Sequence, residues 1–297
     1  MLTLSYLAEL AERHANALNS PVARFQLRGE WIEPYPNSTL MGVVNLSSDS
    51  WYRESVSMNL AAAERRAHRL AIEGAKIIDI GAESTVLQAL RVDAQTQNSL
   101  LVPLVQTLSS AGLLISVETY HPEVTAACLS AGAAVINLTS AQDTEVFYRL
   151  AAEYDAGVII CYIQNGKNVR EVSDFQLHAD HTGQLYEYFA REIDKATLCG
   201  VSRLWLDAGL GFYYKNLTDS AQRVSYQMET FLNSFRLRTL GFPVCQALPH
   251  AFEYFEEEVR CAESFFGVLA LLGQVDLLRT HEVAKVRGVL ETLRTLP

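Results

Sequence analysis

The sequence predicts an α/β chain: a (β/α)8 TIM barrel over residues 40–297, preceded by an N-terminal helix and hairpin extension over 1–39 that closes it. Three observations carry this. Eight short apolar runs lie at 40–46, 76–81, 113–118, 134–137, 157–162, 203–207, 242–246 and 276–279. They alternate with stretches of helical periodicity at 58–73, 95–111, 122–131, 144–154, 181–199, 218–238, 257–272 and 282–295, and right-handed crossovers make closure the natural outcome of eight such units. A doubly wound open sheet is the competing fold. Thirdly, the polar residues collect at one kind of strand end: Asn45, Glu83 to Thr85, Glu118 with Thr119, Asn137, Asp207, and Arg279 with His281. Any one of these can be a helix cap, but six such ends together point to a site, since barrel enzymes draw catalytic groups from the C-terminal ends of several strands.

The elements follow in order. Residues 2–19 form an amphipathic helix with Leu4, Leu7, Leu10 and Ala11 on one face. Arg24 to Glu33 alternates loosely as a hairpin does, and Pro34, Pro36 and Asn37 break the chain before the first barrel strand. AIEGAKIID, LSAGAAVIN and AAEYDAGVII each place a small residue between a helix end and the next strand, where glycine accepts the positive φ of a helix C′ position.

With 297 residues, 49% hydrophobic and 20% charged, the chain can bury a large core. Its net charge of −10 argues against nucleic acid or an anionic membrane as the main partner. The five cysteines, Cys128, Cys161, Cys199, Cys245 and Cys261, are odd in number and widely spaced, with no C-x-x-C pair, so neither a zinc site nor a disulfide framework is expected. Reduced thiols in a cytoplasmic protein are the expectation. The first twenty residues lack a basic n-region, and no apolar run reaches the length of a bilayer span.

Six stretches, in order and at the required strand ends, resemble the motifs of dihydropteroate synthase, the pterin-binding barrel enzyme of folate biosynthesis. MGVVNLSSDSW at 41–51 is similar to that family's MGILNVTPDSF, IDIGAEST at 78–85 to its IDIGGEST, and SVETYHPEV at 116–124 to its SVDTYKAEV. VINLTSA at 135–141 is similar to IINDISG, LDAGLGF at 206–212 to LDPGIGF, and RTHEV at 279–283 to RVHDV. The resemblance runs from Leu40 to Thr295. It implies an enzyme that joins 6-hydroxymethyl-7,8-dihydropterin pyrophosphate to p-aminobenzoate and releases pyrophosphate with the help of Mg2+. It also implies a homodimer paired through the late barrel helices.

The chemistry explains what the strand ends must supply. A pterin presents an amino-pyrimidine edge of donors and acceptors, which a carboxylate and an amide at the bottom of a pocket can meet in bidentate fashion. The resemblance places Glu118, Asn137 and Asp207 there, with Ser84 and Thr85 on the same rim. Pyrophosphate departs only if its growing charge is met by cations and donors. Arg279 offers a planar fork, His281 a second donor on the same side of the strand, and Asn45 a hard oxygen for Mg2+.

Departures from the family pattern spare the pyrophosphate-side trio Asn45, Arg279 and His281 and deplete the p-aminobenzoate side and the loops. Leu138 stands where the family has Asp after the strand-four Asn, Val86 where it has Arg after EST, and Glu118 where it has Asp. LPHA, residues 248–251, replaces the family's SRKS at strand seven, whose Lys reaches the pterin and whose Ser and Arg hold p-aminobenzoate. His250 is then the cationic candidate there, and Gln246 a polar substitute. Of the two loops, SSDSWYRES lacks a Thr-Pro and Gly-Gly, and VLQALR lacks a Pro-Gly turn; they carry Arg53 and Arg91.

Three readings stand on these residues: a divergent synthase, a non-catalytic or altered-substrate pterin-binding paralogue, and more distantly a methyltetrahydrofolate–corrinoid methyltransferase on the same barrel. RTHEV weighs against the last, because its Arg and His belong to the pyrophosphate side. His14, His68 and His121 read as surface or structural, and His178 with His181 as a polar loop and helix cap rather than a metal pair. Glu253 to Arg260 reads as a solvated loop and helix start. SFFGVLALLG at 264–273 is more apolar than one barrel-facing stripe requires, and the surplus is expected at a dimer surface.

Overall fold

The computed structural model describes residues 1–47, 59–85, 89–172, 174–212 and 214–296. Eight parallel strands close a barrel in which each pairs with the next along the chain and the last pairs with the first. They are β3 (Thr39–Asn45), β4 (Ile77–Gly81), β5 (Leu114–Thr119), β6 (Val135–Leu138), β7 (Gly157–Cys161), β8 (Leu204–Asp207), β9 (Val244–Ala247) and β10 (Leu277–Thr280). Every residue of β4, β6, β7 and β8 is buried, as expected for strands covered by helices on one face and by the barrel interior on the other. The open sheet is therefore excluded.

Alternation along each strand sorts the side chains into two cores. Ile78, Ile80, Ile136, Leu138, Val158 and Leu206 point outward and pack with the surrounding helices. Met41, Ile77, Leu114, Val135, Ile159, Trp205 and Leu277 point inward and fill the barrel near the strand starts. At Gly157 the missing side chain leaves room for Trp205, whose Cζ3 lies 2.9 Å from where a Cβ would sit. Fully burying such side chains contributes about 1.5–3 kcal/mol each.

The helical layer comprises α3 (Leu60–Glu73), α4 (Ala94–Ser110), α5 (Pro122–Ser130), α6 (Thr144–Glu153), α7 (His181–Leu198), α8 (Ser220–Asn233), the short α9 (Phe252–Phe255), α10 (Ala262–Leu272) and α11 (Val283–Leu293). Asn59, Asp93, Asp180 and Asp219 cap α3, α4, α7 and α8, each side chain accepting from a backbone N–H of the first turn. Gly74, at φ 118°, ends α3. No helix among the described residues is long and apolar enough to cross a membrane.

Two expected helices of the barrel layer are divided. The stretch 218–238 becomes α8 followed by a tighter 3-10 turn, Ser234–Leu240, where the Ser234 and Thr230 hydroxyls donate to the carbonyls of Thr230 and Tyr226 and compete with regular helix geometry. The stretch 257–272 starts as a helix only at Ala262. Before it, Glu256 adopts φ 46° and the run of acids forms a 3-10 turn, Glu256–Cys261.

Ahead of the barrel lie α1 (Leu4–Arg13), α2 (Ala15–Leu18) and a hairpin of β1 (Phe25–Leu27) and β2 (Glu30–Ile32). The hairpin turns through Arg28 and Gly29, both with positive φ, as two-residue hairpin loops require. Its Leu27 and Ile32 join the inward core beside Met41 and Ile77, plugging the end of the barrel opposite the strand C-termini. The stripe on α1 is corrected: Leu4 is 86% exposed, and it is Leu7 and Leu10, with Leu2 before the helix, that pack on the core.

Candidate active site at the strand C-termini

Inward-facing positions change character halfway up the barrel. Ile77 is followed by Asp79, Leu114 by Ser116 and Glu118, Val135 by Asn137, Trp205 by Asp207 and Leu277 by Arg279. The apolar members fill the barrel. The polar members approach or line a cavity of about 520 Å³ at the strand C-termini.

Asp79 is the centre of the polar layer. It is fully buried, and its carboxylate accepts from Ser116 Oγ at 2.6 Å, Asn137 Nδ2 at 3.1 Å and Arg279 Nε at 2.7 Å. Arg279 Nη2 also donates to Glu118 Oε2 at 2.6 Å, and Asn137 Oδ1 lies 3.2 Å from Cys161 Sγ. An Asp inside the apolar run IIDIG was the signal for this residue, and reading strand ends alone passes over it.

Burial and charge set the protonation of the layer. Burial opposes the Arg279 charge, but the carboxylates of Asp79 and Glu118 beside it outweigh that cost and hold its pKa above the ordinary value. Burial pushes Glu118 up to about 7 against the pull of Arg279. It also pushes Asp207 up to about 6, although Gly209 N–H donates to Asp207 Oδ1 at 2.7 Å. The cavity floor thus holds carboxyl groups that titrate near neutrality around one fixed cation.

A second cluster stands on the cavity wall. Glu263 Oε1, from the first turn of α10, lies 2.8 Å from His281 Nδ1 and 3.0 Å from His250 Nε2. The far oxygen, Oε2, accepts from the hydroxyl of Thr280 and from the backbone N–H groups of His281 at 2.9 Å and Glu282 at 3.2 Å. Burial works against the Glu263 charge, yet the two histidines and their hydrogen bonds hold its carboxyl below the usual range. Sequence reasoning missed Glu263 too. A lone acid opening the apolar stretch AESFFGVLALL was its only signal.

A third contact braces the rim. Arg170 Nε is 3.0 Å from Glu83 Oε1, and Arg170 Nη1 donates to the Ser84 carbonyl at 2.8 Å. Tyr120 Oη donates to Glu83 and accepts from Arg91, whose Nη2 donates to the Arg170 carbonyl. Arg91 therefore holds a loop together and is not among the residues lining the cavity.

Of the expected site residues, Asn45, Ser84, Thr85, Glu118, Asn137, Asp207, His250, Arg279 and His281 all line the one cavity. Gln246 does not. It is fully buried between inward-facing Cys245 and cavity-lining Ala247, so the alternation of the strand turns it outward, where Nε2 donates to Ser234 Oγ at 3.2 Å. Leu138 likewise faces the helical layer, so its departure from the family pattern takes no charge from the cavity here. Val86 and Arg53 lie outside the described residues. Lys215 and Arg223, which the motifs did not reveal, line the cavity mouth, with Arg223 Nη2 2.5 Å from Glu253 Oε1. His181 is ringed by Tyr162, Phe175 and Tyr226, and its Nε2 is 2.8 Å from Tyr226 Oη, so it belongs to an aromatic cluster.

The Gln246 placement has a measurable consequence. Gln246→Ala is expected to lower unfolding stability by about 1–2 kcal/mol through the lost buried hydrogen bond while leaving substrate affinity unchanged, as denaturant melts and binding calorimetry on one preparation will show.

Comparison with known proteins agrees with this geometry. The profile of the family described as "Pterin binding enzyme" matches residues 41–247. The chain is 30% identical over 213 residues to a dihydropteroate synthase of Streptococcus pyogenes, covering 70% of this chain and 73% of that one. It is 27% identical over 261 residues to the type-2 dihydropteroate synthase of Escherichia coli, covering 86% and 95%. The dihydropteroate synthase of Xanthomonas albilineans solved with 4-aminobenzoic acid superposes with a TM-score of 0.76 at 25% identity, over 93% of this chain and 98% of that one. The Yersinia pestis enzyme shares the fold with a TM-score of 0.79 at 21% identity, over 93% and 100%. The chain belongs to the dihydropteroate synthase family of pterin-binding enzymes.

Proposed function

We propose that this transferase condenses 6-hydroxymethyl-7,8-dihydropterin pyrophosphate with p-aminobenzoate and releases pyrophosphate. The observation that carries the reading is the gathering of Glu118, Asn137, Asp207, Arg279 and His281 in one cavity. The first three form a floor of acceptors and an amide for the pterin edge. Arg279 engages the floor carboxylates through Nε and Nη2, which leaves Nη1 to meet a phosphate oxygen. The preorganised cation then stabilises charge that grows on the leaving group as the C–O bond lengthens. Leu210, Leu248 and Phe252 supply an apolar wall for the aniline ring, and Lys215 and Arg223 supply cations at the mouth for its carboxylate. These two stand in for the basic residues that LPHA lacks.

Mg2+ suits the same site. It takes one or two protein oxygens and fills its remaining positions with phosphate oxygens and water. Asn45, half-buried at the end of β3 and lining the cavity with Arg279 and His281, provides such an oxygen. When bound, the ion supplies positive charge to the departing diphosphate. Chromatography and mass spectrometry of the reaction mixture test the reading: dihydropteroate forms with Mg2+ and is lost with a chelator, whereas its absence under both conditions contradicts it.

The titrating floor gives the binding a pH dependence. Pterin N–H groups donate to ionised carboxylates, so affinity for 6-hydroxymethylpterin rises as pH increases through about 6 and about 7, and binding expels protons in that window. Folding stability runs the other way. Because the folded state keeps these protons to higher pH than the unfolded chain does, their stabilising contribution is present at low pH and is lost as pH rises through the same values. Calorimetry in buffers of different ionisation heat reads the proton release directly.

A second copy of this chain completes the assembly. Phe265, Val268 and Leu272 form one stripe on α10, with Phe265 39% and Leu272 48% exposed, while Phe266 and Leu269 are buried on the opposite side. The double substitution Phe265→Glu with Leu272→Glu is expected to convert a dimer to a monomer in sedimentation velocity, with the barrel intact. We place the protein in the cytoplasm on the odd number and wide spacing of its five cysteines.

A further inference from the structure

We infer that His250, Glu263 and His281 form a binding site for a divalent transition-metal ion, distinct from the Asn45 carboxamide that serves Mg2+. The three residues come from different elements: the loop after β9, the first turn of α10 and the end of β10. Their ligand atoms all lie within 4.8 Å of one another, and both histidine nitrogens approach the same oxygen, at 2.8 and 3.0 Å. Ligand atoms bonded to one ion at about 2.0–2.2 Å stand roughly 3 Å apart, so the two Glu263 contacts already have that spacing and the two imidazole nitrogens draw toward each other to close on a metal. Two imidazole nitrogens and a carboxylate oxygen are the donor set of catalytic zinc and of open iron(II) sites, and differ from the all-oxygen set that Mg2+ takes.

Glu263 is prepared as a ligand. Its Oε2 is fixed by the Thr280 hydroxyl and by two backbone N–H groups, which turns Oε1 toward the two imidazoles. Outer contacts of this kind orient a ligand carboxylate before the ion arrives. The charge balance points the same way. With both imidazoles neutral, as ligation requires, the cluster alone places one negative charge on the wall of a cavity that receives a diphosphate; a divalent ion converts it to one positive charge. That adds a cation on the side of the cavity where LPHA replaces a lysine-bearing motif. His250 and His281 both line the cavity, so the open coordination position faces it and takes water or a phosphate oxygen. The phosphate assignment rests on the proposed reaction, whereas the metal assignment does not.

The test uses chelator-stripped full-length protein without substrate, titrated with Zn2+ by calorimetry and with Co2+ by visible absorption. The expected result is a single saturable ion per chain, with Co2+ bands of a low-coordinate nitrogen and oxygen site. Affinity should fall more than about tenfold in His250→Ala and in Glu263→Gln. His250→Ala changes a loop residue, and metal-free melting of each variant distinguishes a lost ligand from a lost fold. His178→Ala, which removes the other closely spaced histidine pair, leaves binding unchanged. Absence of saturable binding, equal affinity in wild type and His250→Ala, or loss of binding in His178→Ala overturns the site. Inorganic pyrophosphate added to the Co2+ form should shift its bands; unshifted bands with metal binding intact overturn the phosphate assignment alone.

Discussion

Arg279→Ala is expected to be the most damaging single substitution in the cavity. Arg279 is the one cation set between Asp79 and Glu118, at 2.7 and 2.6 Å, the first fully buried in the barrel and the second mostly buried on the cavity floor. Removing it leaves buried carboxylates facing each other, and breaking a buried ion pair from one side costs about 3–5 kcal/mol of folding stability. It also removes a preorganised donor to the leaving diphosphate, worth about 10²–10³ in turnover. The two losses separate experimentally. Adding Glu118→Gln to Arg279→Ala removes one of the stranded charges and should return part of the stability seen in denaturant melts, while turnover stays low. Recovery of turnover together with stability would show that Arg279 serves the fold alone.

Asp79→Ala should act almost as strongly, though no motif reading assigned Asp79 a role. Its carboxylate holds Arg279, Ser116 and Asn137 in one arrangement, so the alanine leaves a buried guanidinium with one partner fewer and frees the Asn137 amide to turn. A loss of about 3–5 kcal/mol in stability and a marked weakening of pterin binding are expected. Asp79→Asn keeps an acceptor for Ser116 but sets amide hydrogens against the Arg279 donor, so it should fall between wild type and alanine in both measurements. Pterin affinity unchanged in either variant would remove Asp79 from the account of recognition.

Much of this was legible in the chain because strand pattern and strand-end chemistry are local. Ile77, Ile78 and Ile80 mark β4 by their apolar run, and Asn45, Glu118, Asn137, Asp207 and Arg279 announce the cavity by falling at strand ends. What the sequence hid depends on neighbours far away along the chain. Asp79 gains meaning only when closure brings it to Arg279, two hundred positions on. Glu263 reads as a helix acid until the barrel sets it between His250 and His281. Gln246 misled because a strand's facing is decided by a one-residue register, and the inward places beside it belong to Cys245 and Ala247. The division of the 218–238 helix at Ser234 turned on hydroxyl to carbonyl bonds that helical periodicity does not register.

The central claim, that this cavity displaces diphosphate from a pterin with an aniline, is tested most directly by pyrophosphate release. The purified protein is given 6-hydroxymethyl-7,8-dihydropterin pyrophosphate and Mg2+, with and without p-aminobenzoate, and released pyrophosphate is followed continuously. The account predicts steady release that requires p-aminobenzoate and falls by about 10²–10³ in Arg279→Ala. Calorimetric binding of the pterin substrate with no release, whether or not the aniline is present, would contradict it and leave a barrel that holds pterins without joining them.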